Sequence, residues 1–234
     1  VCPTQNLVDA YEYVGTPNEN DPYANRDPRF YASIVYNTCT WNGRTIAEAP
    51  GETDDMSKAN ASRTGYYLRK FLTDELNLTQ GQTAQHNWVM FRYAEVLLNY
   101  AEAVNEAYGP SVVPAGFVMS AKAALMKVRD RASVSLPEIK AGTIESFRQA
   151  VKHERQVELA FEDHRYWDLL RWKDASTVLN EPVKGVSVRR SGEDYVYRTV
   201  TVASRTFNER NYYLPFSRSE VENSNGTLQQ NPNY

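Results

Sequence analysis

Apolar positions in the middle of the chain recur every three or four residues, the period of a helix with one buried face. Leu97, Ala101, Val104 and Tyr108 form one such stripe, bordered by Ala94 and Leu98. Glu95, Asn99, Glu102 and Glu106 form the polar stripe opposite. The pattern predicts a helix from about Arg92 to Tyr108, stopped by Gly109-Pro110. Its small Ala94, Ala101, Ala103 and Ala107 let a second helix approach closely. That second helix is predicted after Ser120, an N-cap, with Ala121, Ala124, Leu125, Val128 and Ala132 facing inward. Thr143 caps a third, with Glu145 in the first turn where the helix dipole favours a carboxylate.

The third helix is expected to run on through His153 to Ala175, a stretch without Gly or Pro. Val151, Val157, Ala160, Trp167 and Leu170 lie on one stripe. Phe147, Glu154, Glu158, Phe161, Arg165, Asp168 and Trp172 step round a second that mixes rings with charges. A helix apolar on two sides is largely buried, and buried charges need partners. Helical spacing offers Glu158 to Arg155, Glu162 to Arg165, and Asp168 to Arg165 or Arg171. Loss of Arg165 is then expected to cost about 3–5 kcal/mol. Trp167 and Trp172 are assigned to the same buried structure, and Trp88 to core packing.

The flanks differ. Residues 1–87 are loop-rich, with Pro17, Pro22 and Pro28 among many Asn and Asp, and one short helical turn around Asn25 to Phe30. Phe30 to Tyr36 is β-prone and reads as a buried strand. The segment from Asn37 to Ser62 is polar and long, and Tyr66 to Leu72 reads as a strand returning to the core. Trp88 to Phe91 is β-like before the helical region 88–175 takes over. In 176–234, Val186, Val188, Tyr195, Tyr197, Thr199 and Thr201 predict a hairpin around Ser191-Gly192, followed by a turn-rich tail.

A net charge of −3 without any basic run gives no reason to expect nucleic acid as a partner. No stretch approaches the roughly 20 apolar residues of a membrane span. Cys2 and Cys39 are compatible with one disulfide in an oxidising compartment. Sixteen Tyr, eight Phe and four Trp are more rings than a core of this size needs, so part of them is expected at half-wet surfaces.

Chemistry-bearing motifs are few. There is no Gly-rich phosphate loop, GxSxG or HExxH. His153 and His164, three helical turns apart, are too distant to share one metal. The ligand-binding candidates lie in the loop-rich part. Trp41 leads, beside Asn42 and Arg44, followed by Tyr36 and Asn37 at the end of the β-prone run and by Tyr66 and Tyr67, which alternate faces. Rings stack on the apolar face of a sugar while amides and guanidiniums bond its hydroxyls. A glycosidase would need two carboxyls about 5–9.5 Å apart. Glu48, Glu52, Asp54 and Asp55 supply carboxyls in that loop, and they leave open a structural calcium, although EF-hand spacing is absent.

Several stretches, taken in order, resemble the C-terminal half of the SusD/RagB family. They are PTQNLVDAYE, DPYANRDPRFYASIVYN, FRYAEVLLNYAEAVNE, ALMKVRDRA, ERQVELAFEDHRYWDLLRW and the ending YYLPFSRSEVENSNGTLQQNPNY. The resemblance implies a mainly α fold: tetratricopeptide-like helices packed against a loop-rich half with short strands and a β-hairpin. It implies binding without catalysis. Such proteins capture oligosaccharides or polysaccharides (peptides in the RagB branch) outside the outer membrane, and they lid a SusC-like TonB-dependent transporter. It further implies a lipid anchor on a cysteine of an N-terminal half that these residues do not include. The named motifs carry the fold rather than specificity, so no ligand residue is transferred by them.

Overall fold

The computed structural model describes residues 1–234, apart from the side chain of Leu78. Helix α1 (Gln5–Val8) is capped by Thr4, and α2 (Pro28–Ser33) by Asp27, whose carboxylate accepts the Arg29 N–H at 2.9 Å. Pro28 at the first turn and this cap together outweigh the β propensity of FYASIVY. The predicted strand 30–36 is therefore helical to Ser33, and only β1 (Ile34–Val35) is extended. Next comes a tight hairpin of β2 (Thr40–Trp41) and β3 (Arg44–Thr45). Its turn residues Asn42 and Gly43 both have positive φ, +50° and +74°, as such a two-residue turn requires. β4 (Tyr67–Leu68) pairs antiparallel with β1, Ile34 facing Leu68. The expected strand stops there, and Phe71 and Leu72 are exposed.

Helices α3 (Tyr93–Tyr108), α4 (Ala121–Arg129) and α5 (Ile144–Glu158) follow, starting where the capping residues put them. Ser120 accepts the Ala123 N–H, and Thr143 forms a reciprocal capping box with Ser146. The three pack as a layer, with Leu98, Ala101, Ala124, Leu125, Phe147 and Val151 fully or almost fully buried between them. α5 does not continue to Ala175. It ends at Glu158, Phe161 and Asp163 take left-handed backbone (φ +66° and +61°), and α6 (His164–Arg171) begins in a new phase. No Gly or Pro marks this break. Cations from distant segments hold it open: Lys70 donates to the carbonyls of Glu158 and Ala160, and Arg92 to that of Glu158 at 2.7 Å. These are carbonyls that a helix C-terminus leaves without partners.

α7 (Ala175–Val178) is a single turn. β5 (Val183–Ser191) and β6 (Asp194–Ala203) form the predicted hairpin, closing at Ser191 opposite Asp194. α8 (Arg218–Asn223) lies in the tail, capped by Ser217. The hairpin roofs a second core, of Tyr11, Tyr23, Phe30, Ile34, Tyr66, Val186 and Val188, which also takes Val157 of α5. α5 thus faces the helical core through Phe147 and Val151 and the loop-side core through Val157. Its two apolar stripes serve two different cores. Both cysteines are free, Cys2 exposed and Cys39 buried. Among the described residues, no helix is long and apolar enough to cross a membrane.

Candidate functional site

The β2–β3 hairpin carries three of the seven candidate ligand residues, and Tyr67 of β4 packs against the same small cluster as Trp41. Trp41 and Arg44 are opposite each other across the ladder, with Asn42 exposed in the turn between them. The inner side of Trp41 packs on a small cluster of Val35, Cys39 and Ile46, which Tyr67 also covers. The Arg69 guanidinium lies 5.5 Å from the Trp41 ring centre. Arg44 grips Asp54 through two hydrogen bonds of 2.6 Å, which hold the Asp54 carboxyl below its ordinary range. Tyr67 is half-buried and accepts the Ser62 N–H at 3.0 Å. The face is an aromatic plane with a planar guanidinium beside it, held by its own ion pair.

The other three candidates are placed differently. Asn37 is fully buried: it donates to Tyr197 Oη at 3.1 Å and accepts the Glu48 N–H at 2.9 Å. Tyr66 is buried too, donating to Gln5 Oε1 at 2.6 Å. Both are core residues: Asn37 is held by its two hydrogen bonds, and the alternation leading into β4 turns Tyr66 inward where Tyr67 turns outward. Tyr36 is half-buried, its ring 4.5 Å from Tyr23 and 4.9 Å from Phe30. It follows β1 directly, sits in this group of rings, and also packs against the Val35, Cys39 and Ile46 cluster beneath Trp41.

The loop carboxylates are mostly spent on the loop itself. Asp54 also accepts the Ala47 N–H, Asp55 accepts those of Gly51 and Ser57, and Glu52 bonds Tyr195 and Arg190. Glu48 is fully buried with no partner for either carboxylate oxygen among the described residues. Burial, with Asp54 nearby, pushes its carboxyl up to about 8. Glu12, His153 and Glu154 place one ligand atom each within 4.8 Å of one another. Arg129 Nη1 stands 2.8 Å from a carboxylate oxygen of each glutamate, so both are already paired with a cation.

The charges of α5 and α6 are paired, but mostly not as helical spacing suggested. Glu158 binds Arg29, Arg92 and Arg131 rather than Arg155. Glu162 binds Lys70 and Arg92 rather than Arg165. Arg155 reaches Asp168 and Asn99, and Arg171 reaches Asp168 and Glu102. Arg165 has no ion pair among the described residues, and burial lowers its affinity for a proton. The break after Glu158 rotates α6 away from the register those pairings assumed. Arg29, Lys70, Arg92 and Arg131 lie up to 129 residues from Glu158, so no local pattern points to them.

This network floors a cleft of ≈ 620 Å³. Its rim carries Trp88, Phe91 and Trp167, which are 77%, 76% and 58% exposed. Trp88 and Trp167 are therefore not core residues here. Trp88 sits in irregular chain before α3, and Trp167 turns outward with the changed phase of α6.

The chain is 40% identical over 108 residues to SusD-like protein P25 of Formosa agariphila, an alignment covering 45% of this chain and 19% of that protein. Among solved structures, a SusD-like protein from Bacteroides fragilis superposes with a TM-score of 0.82 at 29% identity. That superposition covers 100% of this chain and 47% of the other. A SusD-like carbohydrate binding protein from the same species gives a TM-score of 0.74 at 28% identity, over 94% of this chain and 47% of its own. The chain spans less than half of each of these relatives. The SusD family model matches residues 1–234, and on that match and the shared fold this chain belongs to the SusD family.

Proposed function

We propose that this chain forms the ligand-facing part of a cell-surface protein that captures oligosaccharides and hands them to a SusC-like TonB-dependent transporter in the outer membrane. The observation that carries the reading is the β2–β3 face. Trp41 offers a ring seated on a packed base, and Arg44 offers a guanidinium fixed by Asp54. A pyranose presents an apolar face to a ring and hydroxyls to such a donor. The carbohydrate-binding description of one structural relative supports the same reading. Binding without catalysis fits the loop, since Glu52, Asp54 and Asp55 are engaged in building it.

Affinity electrophoresis against plant, fungal and host polysaccharides tests the proposal. One polysaccharide retards the chain, and Trp41→Ala weakens that binding by about tenfold, roughly 1.4 kcal/mol. Retardation unchanged in Trp41→Ala overturns the placement of the site. A peptide is the second reading, favoured by one feature: β6 pairs only with β5 among the described residues, so its outer edge is open to strand addition. Retardation by no glycan, with binding of an extended peptide, selects it.

A further inference from the structure

The segment from Thr45 to Asp54 is a strap that seats the Trp41 face from beneath. Ile46 packs under Trp41 with Val35 and Cys39. Its carbonyl accepts the Thr38 N–H and its N–H donates to the Cys39 carbonyl, both at 2.9 Å. The Ala47 N–H goes to Asp54, the carboxylate that grips Arg44. Glu48 comes next, with its N–H on Asn37 and its carbonyl accepting from Met56. The ring and the guanidinium of the face are thus both held through the residues just before Glu48.

The Glu48 side chain is buried without support. It is 0% exposed, and neither carboxylate oxygen meets a donor among the described residues. The titratable groups around it are Asp54, Cys39, Tyr23, Tyr66 and Tyr67, and none of them carries a positive charge. The bond from Arg44 holds Asp54 below its ordinary range, so Asp54 stays ionised. Burial raises the Cys39 thiol and the three tyrosine hydroxyls above their ordinary values. Of this set, Glu48 is the group that changes charge between about pH 7 and pH 9. Once ionised, it stands unpaired in a dry pocket beside a second carboxylate. A chain relieves that only by moving the charge to water.

We propose that Glu48 is an alkaline latch: while its carboxyl is neutral the strap stays closed under Trp41 and Arg44, and its ionisation swings residues 45–54 towards water and takes the face apart. The consequence for a bound sugar rests on the reading of that face as the ligand surface; the latch itself does not.

Alkylation of the buried Cys39 reports the opening without any ligand, since Ile46 of the strap packs against it. The full-length protein and its Glu48→Gln variant are treated with iodoacetamide at pH 6.5 and pH 9, and the peptide containing Cys39 is quantified by mass spectrometry. A growing thiolate fraction speeds both proteins, so the ratio of parent to variant is the measure. A charged Glu48 by itself would raise the Cys39 thiol and slow the parent, so a faster parent reports opening. The ratio is expected near one at pH 6.5 and at least about fivefold at pH 9, with helical circular dichroism unchanged in both proteins. A ratio near one at both pH values overturns the latch. Acceleration that arrives together with loss of the helical signal is global unfolding and overturns it too. A glycan that binds is then titrated at the same two pH values. The parent is expected to lose it at pH 9, while Glu48→Gln keeps the affinity it has at pH 6.5. A parent that opens at pH 9 and still holds the glycan bears out the latch and overturns the ligand face instead.

Discussion

Arg29 places its Nη1 2.8 Å from Glu158 Oε2, although 129 residues separate them in the chain. The same guanidinium bonds Asp27, the cap of its own helix, and Glu154 one turn before Glu158. It therefore ties α2 of the loop-rich half to α5 of the helical layer, in a region where all four side chains are buried. A buried ion-pair network adds little net stability, yet removing one member strands the others. Arg29→Ala is expected to cost about 3–5 kcal/mol in chemical denaturation. Arg165→Ala, which breaks no ion pair, is expected to change stability by less than about 1 kcal/mol. Equal losses from the two would mean that the network around Glu158 is not what holds the halves together.

Acid should attack the same centre. Burial pushes the Glu158 carboxyl up, but hydrogen bonds from Arg131, Arg29 and Arg92 outweigh it and bring it down to about 2. Between its ordinary 4.5 and that value the unfolded chain binds the proton and the folded one does not. The stabilisation is full above 4.5 and is lost as pH falls through about 2, amounting to about 3 kcal/mol. Glu158→Gln should flatten the acid limb of a stability-against-pH curve measured by urea titration. An acid limb of unchanged slope in that variant would place the titrating carboxylates elsewhere.

Glu48 has the opposite sign. Its folded carboxyl is held protonated up to about 8, while the unfolded one ionises near 4.5. Stability from this group is complete below 4.5 and is lost as pH rises through about 8, where an ionised carboxylate has no donor. Glu48→Gln should match the parent in melting temperature at pH 4 and exceed it at pH 9. A parallel pair of curves would show that water or a cation satisfies Glu48 in solution.

The hairpin roof depends on a close crossing. Val186 N–H donates to the Thr64 carbonyl at 2.9 Å, and a Cβ on Gly185 would stand 2.7 Å from Thr64 Cα. It would also meet Thr64 O and Val202 Cγ2, each at 2.8 Å; the two Thr64 atoms are backbone and cannot rotate away. Gly185→Ala should destabilise the chain by about 1–3 kcal/mol, read as a lower denaturation midpoint. Gly192→Asn, in an open turn with φ +64°, is expected to be tolerated.

Much of the fold was legible because its causes are local. The caps at Ser120 and Thr143, the stop at Gly109 and the turn at Ser191-Gly192 depend on residues within a few positions of one another. The alternation of Tyr66 and Tyr67 announced that one faces in. The hairpin turn at Asn42-Gly43, which sets Trp41 beside Arg44, is just as local a signal, yet it is hidden inside a polar segment that reads as loop.

What the sequence by itself determined, then, is where helices begin, which stripes are apolar and which family motifs follow one another. The tertiary structure decided the rest. It broke the third helix at Glu158, where no Gly or Pro warns of it, because Lys70 and Arg92 arrive to take the freed carbonyls. It chose Arg29, Arg92 and Arg131 for Glu158 over the neighbour Arg155, since burial rewards whichever cation the packed chain delivers. It turned Trp88 and Trp167 outward, where the composition of their segments suggested core. Periodicity records which side of a helix is apolar; only packing determines what that side meets.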